Sequence, residues 1–217
     1  MKLSENTLAV LKNFAAINSG VVLNSGKTQK TISPEKSILV EATIDDDIPT
    51  QFGIYDLNQF LGNLTTLRNP ELTFNKDAVT LDDGELSFDY RACSANLIIT
   101  PPEKELVLKS VDVKFSLPND TLQKLIKVAT MNSLPNLSVV GKNGQLLLKI
   151  HERANDTSNT GTIKIGEYAG QDFTATFKTD NLKLLPNDYN VEIQKGAFAK
   201  FENASQSLKY FIALETK

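Results

Sequence analysis

The sequence has little of the chemistry on which many protein classes depend. Cys93 is the only cysteine and His151 the only histidine, which excludes an intrachain disulfide and most metal sites or catalytic triads. No segment approaches the roughly 18 apolar residues that span a bilayer. The first residues turn polar too soon for a signal peptide. We therefore expect a soluble, cytoplasmic protein.

The chain also lacks an excess of basic residues. Its formal net charge is -3 over 217 residues, and its pI is about 5.3. A protein that binds nucleic acid over its whole surface is expected to be strongly basic. Any contact of this chain with nucleic acid must therefore be local.

A segment from Asn24 to Thr28, NSGKT, resembles the end of a phosphate-binding loop. That motif needs a glycine at position 21, which is Val21, and it must open a helix, whereas this segment runs toward Pro34. No nucleophile signature or spaced carboxylate pair occurs elsewhere. We expect a protein that is not an enzyme and that holds no cofactor and no metal.

What the sequence does contain is an internal repeat. Residues 5 to 19, ENTLAVLKNFAAINS, align without a gap to residues 119 to 133, NDTLQKLIKVATMNS. The matched pairs include Leu11 with Leu125 and Asn18 with Asn132, and several follow the spacing of one helix face. The repeat predicts two similar domains, which we place at 1–95 and 113–217 with a connector at 96–112.

The pattern within each half predicts an α+β fold of antiparallel sheets with two helices per domain. The first helix should begin at Ser4 and bury Leu8, Leu11, Phe14 and Ala15, and its copy should begin at Asp120 and bury Leu122, Leu125, Ile126 and Ala129. A second helix is predicted over 56–67, with a short counterpart, TDNLKLLP, that Pro186 ends. Segments of period two between the helices predict strands, joined by tight turns at 83–84 and 142–144.

Lysines recur on the predicted helix faces with few acidic residues beside them. They are Lys12, Lys124, Lys127, Lys178 and Lys183. Such residues are also typical of an ordinary solvated helix face. Because the repeat relates the helices, however, symmetry could align their faces into one weakly basic surface.

Four segments resemble the sliding clamps of T-even-type bacteriophages, in the same order along essentially the whole chain. They are MKLSENTLAVLKNFAAINSG, IYDLNQFLG, DTLQKLIKVA and LPNDYNVEIQKGAFAKFENASQSLKYFIALE. The resemblance implies the DNA clamp fold, with three chains in a closed ring around duplex DNA that holds the replicative DNA polymerase for processive synthesis. It also implies an ATP-dependent clamp loader, a platform for late-transcription factors and the cytoplasm of a host cell.

The resemblance further implies three kinds of site. The five lysines would face DNA. A pocket for partner peptides would comprise Leu97, Ile98, Ile99, Leu106, Phe211 and Leu214. Subunits would meet through edge strands that carry Leu86, Phe88 and Arg91 on one side and Ile163 and Lys164 on the other.

Two alternatives remain open from the sequence. The chain could be a two-domain scaffold or virion binding module that forms no ring. It could also form the ring but serve mainly in transcription, since that task would use the same DNA-facing surface and the same pocket.

Overall fold

The computed structural model describes residues 1 to 216, which fold into two compact units. The first comprises Met1–Glu105 and the second begins at Leu106. Within residues 1 to 216, no helix is both long and apolar enough to cross a bilayer.

The first unit contains two α-helices and three sets of antiparallel strands. Its elements are α1 (Glu5–Ile17), β1 (Val21–Leu23), β2 (Gly26–Ile32), β3 (Ile38–Ile48), β4 (Phe52–Ile54), α2 (Leu57–Thr66), β5 (Glu71–Phe74), β6 (Ala78–Asp82) and β7 (Ser87–Arg91), followed by a 3-10 turn at Ala95–Leu97. β1 pairs with β4, β2 pairs with β3, and β6 lies between β5 and β7. α1 packs against α2 and β3.

The second unit contains one α-helix and two larger antiparallel arrays. Its elements are β8 (Val113–Leu117), α3 (Asn119–Met131), β9 (Asn136–Lys142), β10 (Gln145–His151), β11 (Gly161–Glu167), β12 (Phe173–Lys178), a 3-10 turn at Thr179–Asn181, β13 (Tyr189–Gln194), β14 (Phe198–Asn203) and β15 (Leu208–Ala213). One array has the order β11-β10-β9-β12, and the other has β15-β14-β13-β8. α3 packs against β10. The predicted α+β class with antiparallel sheets is confirmed.

The helices begin where side chains satisfy their free backbone amides, a need common to all helix starts. Ser4 Oγ accepts from Thr7 N at 3.2 Å, and Asp56 Oδ1 accepts from Gln59 N at 3.0 Å. α3 begins differently, because Asn119 N donates to the distant Asp188 Oδ1 at 2.7 Å. The predicted cap at Asp120 is therefore wrong, since that residue already lies inside the first turn.

The buried faces of the three helices have the predicted helical spacing, but some of the buried residues differ from the predicted ones. α2, the helix predicted over 56–67, buries Leu57, Phe60, Leu61 and Leu64 at helical spacing. α3 buries Leu122, Leu125 and Ala129 and leaves Ile126 half-buried. In α1 the buried face is rotated, because Thr7, Val10 and Ile17 are buried beside Leu11 and Phe14, while Leu8 and Ala15 are half-buried.

The predicted second helix of the C-terminal half is wrong. TDNLKLLP forms only a 3-10 turn, after which Leu182 and Leu184 are both buried and Lys183 between them is exposed. Side chains two residues apart share a face only in extended backbone. Pro186 also disfavours helical backbone at the residue before it. The described residues of the second unit consequently form no counterpart of α2.

Two buried tyrosines join the loop before β13 to the sheet behind it. Tyr189 Oη donates to Leu185 O at 2.6 Å, and Leu185 N donates to Tyr210 Oη at 3.2 Å. The two rings meet edge to face at 5.9 Å. Burial raises the pKa of Tyr210 to about 12 and raises the pKa of Tyr189 further.

These raised pKa values predict a loss of stability in alkali. The folded state favours the neutral phenols, so the stabilisation is complete below the unfolded pKa of about 10 and is lost as the pH rises toward about 12. Chemical denaturation between pH 8 and pH 12 should show the free energy of unfolding fall, with on the order of 3 kcal/mol due to Tyr210. Tyr210→Phe should be less stable at pH 8 and show a shallower fall. Tyr55→Phe, at a residue that is 65% exposed, is the control, and an equal slope in both variants would contradict the assignment.

Candidate nucleic-acid and partner-binding surfaces

Exposed lysines occur on two of the helices. Lys12 projects from α1, and Lys124 and Lys127 lie one turn apart on α3. Among the described residues neither α3 lysine forms an ion pair within the chain. These two ammonium groups are therefore available to an external anion.

The other two predicted lysines do not lie on α-helices. Lys178 is the last residue of β12 and pairs with Asn136. Because side chains alternate along a strand, it points to the sheet face opposite Phe177, which lines the same internal cavity as Leu122 of α3. Lys183 is exposed in the loop after the 3-10 turn, beside the buried Leu182. The structure thus brings Lys124 and Lys127 together and separates Lys178 from them.

One flank of α3 is exposed where the matching flank of α1 is buried. The repeat aligns Val10 with Lys124 and Phe14 with Val128. It also aligns Ile17 with Met131. The α1 residues are at most 5% exposed, whereas Val128 is 39% and Met131 76% exposed. α1 packs against α2 and β3, whereas the described residues of the second unit contain no helix in the place of α2. The sequence analysis does not predict this surface. The signal that could have indicated it is Met131, an apolar residue at the end of an amphipathic helix.

The beginning of the connector lies against the first unit. Cys93 N donates to Gly53 O at 2.8 Å, and the Ile98 side chain is 8% exposed. A Cβ at Gly20 would lie 3.4 Å from Ile98 Cγ2, and one at Gly53 would lie 3.3 Å from Ile98 Cδ1. The two glycines therefore allow the connector to approach the strands closely.

The six predicted pocket residues are divided between the units. Leu97, Ile98 and Ile99 belong to the first unit, where all three line a cavity of about 230 Å³ with Tyr55 and Pro34. Leu97 is 70% and Ile99 46% exposed. In the second unit Leu106 and Leu214 are half-buried, and Phe211 is buried with its ring 6.0 Å from that of Phe198.

The predicted interface residues lie on strands with an unpaired edge, except Leu86, which directly precedes β7. Among residues 1 to 216, β7 pairs only with β6 and β11 only with β10. The opposite edge of each array is occupied by a terminal segment: Leu72 N donates to Met1 O at 2.6 Å, and Glu215 N donates to Thr176 O at 2.8 Å. Each array thus keeps one open edge.

Side chains at these edges are partly apolar. Leu86 is 55% and Phe88 40% exposed, and Arg91 is exposed at the end of β7. On β11, Ile163 is half-buried and Lys164 is exposed, with its Nζ 2.6 Å from Glu167 Oε1. Exposed apolar side chains on an open strand edge are an unusual combination in a monomer and typically mark a contact surface.

The residues considered for catalysis have structural partners. NSGKT leads into strand β2 rather than into a helix. His151 Nε2 lies 2.8 Å from Ser138 Oγ, and burial, with Lys149 and Arg153 nearby, lowers the pKa of the imidazole. Within the described part of the chain, no group of three His, Cys, Asp or Glu residues could hold a metal ion.

The chain has a PCNA-like clamp fold. It is similar to the solved structures of proliferating cell nuclear antigen from Entamoeba histolytica and from A. fulgidus, the latter bound to the C-terminal region of FEN-1. Each comparison gives a TM-score of 0.69 at 14% identity over 97% of this chain and 95% of the other. At that identity the likeness concerns the fold.

The sequence comparisons define the family. Residues 2–91 match the DNA polymerase processivity factor family, and residues 114–216 match the C-terminal domain of the gp45 sliding clamp. The chain is 32% identical to the sliding clamp of Vibrio phage KVP40 over 99% of both chains, and 29% identical to that of Escherichia phage RB69 over 99% of this chain and 97% of the other. The chain belongs to the sliding clamp family of DNA polymerase processivity factors. The expectation that it is not an enzyme is thereby confirmed.

The close approach at Gly53 gives a direct test of how the connector is held. A Cβ there would lie 2.2 Å from Cys93 O, so Gly53→Ala must move the backbone and should cost about 1 to 3 kcal/mol of unfolding free energy. Gly62→Ala on α2 meets no atom within 4 Å and should be neutral or stabilising by up to about 1 kcal/mol. Chemical denaturation measures both, and a Gly53→Ala protein as stable as the wild type would show that the connector is not packed this way.

Proposed function

We propose that three copies of this chain close into a ring around duplex DNA and that the ring tethers the replicative DNA polymerase, after an ATP-dependent loader has placed it on DNA. The observation that carries this proposal is that β7 in the first unit and β11 in the second each end an array without a second strand partner among the described residues, and that exposed apolar side chains lie at the β7 edge. Two different edges favour a head-to-tail contact, and such contacts form a ring when the rotation closes. Three two-domain chains would supply six similar domains, which together complete the full rotation of the ring.

The chemistry of the two edges supports their pairing. Antiparallel pairing would satisfy backbone groups that otherwise face solvent. Leu86 and Phe88 would meet an edge that carries Ile163, and the same two strands supply charges of both signs, with Arg91 and Asp89 on one and Lys164 and Glu167 on the other. α3, which carries the exposed Val128 and Met131, packs against β10, the neighbour of β11. We infer that a neighbouring copy covers these two apolar side chains and leaves Lys124 exposed.

We infer that the α3 lysines, together with Lys12 and Lys183, line the hole. Three chains carry three times -3, or -9, so an attractive lining has to be local. Lysines attract phosphates over a Debye length of about 8 to 10 Å. Contacts to phosphates carry no sequence information, and such a lining holds the duplex without fixing a register. Lys178, on the opposite sheet face from the α3 core, is left out of the lining.

We propose that partner proteins, the polymerase among them, bind at the connector. Leu97 and Ile99 expose apolar area beside a preformed cavity, which suits an apolar peptide side chain. We propose that Leu106, Phe211 and Leu214 of the second unit also contact partners.

Ring formation predicts a native mass near three times 23.9 kDa by light scattering. Phe88→Asp should shift the protein toward monomer, because a carboxylate would be buried without a partner in the contact. Val107→Asp is a matched control, since Val107 is exposed in the connector at 67% and should keep the mass of the wild type. A monomeric wild type at high concentration would rule out the self-assembled ring.

The proposed lysine lining predicts that the time the ring stays on DNA depends on the charge of these side chains. The variant with both Lys124→Glu and Lys127→Glu should leave circular DNA at least about tenfold faster after loading, because two phosphate contacts become repulsive. Its light-scattering mass should stay that of the wild type. Lys178→Glu makes the same change of charge on the other sheet face and should have little effect. If it shortened retention as much as the α3 variant, overall charge rather than the lining would be responsible.

A further inference from the structure

Asn18 joins three parts of the first unit. It follows the last residue of α1 and is 7% exposed. Its Nδ2 donates to Ile32 O at 3.0 Å and to Ile99 O at 3.1 Å, and its Oδ1 accepts from Gly20 N at 3.1 Å. One side chain therefore holds the end of β2, the turn after α1 and the connector at a fixed separation.

The bond to Ile99 O is the last one that ties the connector to the first unit. From Thr100 to Leu108 the described chain forms no hydrogen bond. The next attachments are in the second unit, where Lys109 N donates to Gln194 Oε1 at 2.9 Å and Asp112 N donates to Ile193 O at 2.9 Å. The connector is thus held at two ends, and Asn18 forms the last contact at the first end.

The same bond sets the direction of the neighbouring side chains. Ile98 is seated over Gly20 and Gly53 and is buried, whereas Ile99, next along the extended backbone, is exposed. Asn18 holds the Ile99 carbonyl, and both residues line the same cavity. Without that bond, only the packing of Ile98 would resist a rotation of this segment.

We propose that Asn18 is a positioning residue for partner binding, which fixes the connector so that Leu97 and Ile99 present a preformed apolar surface. This inference rests on the proposed partner site at the connector. A preformed site costs less ordering on binding than a mobile one. Asn18 touches no partner itself but acts through Ile99.

The repeat supplies a matched control. Asn132 occupies the equivalent position after α3, but it is exposed, and its Nδ2 donates to Val128 O of its own helix at 2.9 Å. Asn132→Ala therefore removes an amide from the same place in a helix without releasing the connector.

The test compares Asn18→Ala with Asn132→Ala in the full-length protein. Two readouts report on different steps: the rate of trypsin cleavage after Lys104, which lies in the unbonded part of the connector, and the affinity for the purified replicative DNA polymerase in the absence of DNA. We expect Asn18→Ala to raise the cleavage rate and to weaken polymerase binding about tenfold, as for the loss of a net hydrogen-bond contribution. Its native mass should stay that of the wild type, and Asn132→Ala should change neither readout. If Asn18→Ala fails to fold, Asn18→Ser keeps a polar atom near Gly20 N and is too short to reach Ile99 O.

The possible results separate the two proposals. A wild-type protein that does not bind the polymerase contradicts the proposed function, while cleavage after Lys104 still reports whether Asn18 holds the connector. A wild type that binds, with an Asn18 variant that binds equally well, overturns the role of Asn18 alone. Equal losses of affinity in the Asn18 and Asn132 variants would also overturn it, because they would point to a general effect at helix ends.

Discussion

The backbone hydrogen-bonding groups of sheet edges are the constraint on which this structure depends. An edge strand leaves a row of donors and acceptors without partners, and proteins cover or block such edges. Here the first residues cover β5 through Met1 and Leu72, and the last described residues cover β12 through Thr176 and Glu215. Each of these two arrays therefore has one edge bonded to a terminal segment and another edge, β7 or β11, without a second strand partner among the described residues. The proposed ring would pair these two edges, so it follows from the sheet topology as well as from the side chains.

The two halves differ beside the repeated helix. In the first unit α1 packs against α2 and β3, and Val10 and Phe14 are buried. In the second unit the segment predicted as a helix is a 3-10 turn, and the positions aligned with Val10 and Phe14 carry the exposed Lys124 and Val128. The same place in the repeat is therefore a core position in one unit and a surface position in the other. In the proposed ring, Lys124 at this position faces the DNA.

Local patterns in the sequence are sufficient to predict most helices and strands. They are insufficient to predict contacts between residues that lie far apart in the sequence. Period-two segments and the apolar spacing of α2 identified strands and a helix, because both signals depend on neighbours along the chain. The cap of α3 comes from Asp188, and no local motif contains it. The apolar residues in TDNLKLLP predict a fourth helix. In the structure, Leu182 and Leu184 are both buried because the backbone is extended there, so their spacing of two residues indicates extended chain and not a helix. Of the site residues, Lys124 and Lys127 could be placed on one face from helix geometry, whereas Lys178 required the strand register, and Asn18 required knowledge of which carbonyl lies beside it.

Sliding demands that the affinity for DNA be weak while the attachment be long-lived, and the residues of this chain divide those tasks. A net charge of -3 per chain with a few exposed lysines on helices provides attraction that salt screens readily. In the proposed ring that attraction contributes to retention, but it is too weak to give long attachment by itself, so closure through the β7 and β11 edges has to supply the rest. The proposed partner site, at Leu97 and Ile99, uses neither the lysines nor these edges. Separate surfaces for DNA, for closure and for the polymerase would allow the polymerase to bind and leave without releasing the ring, which is what a processivity factor requires.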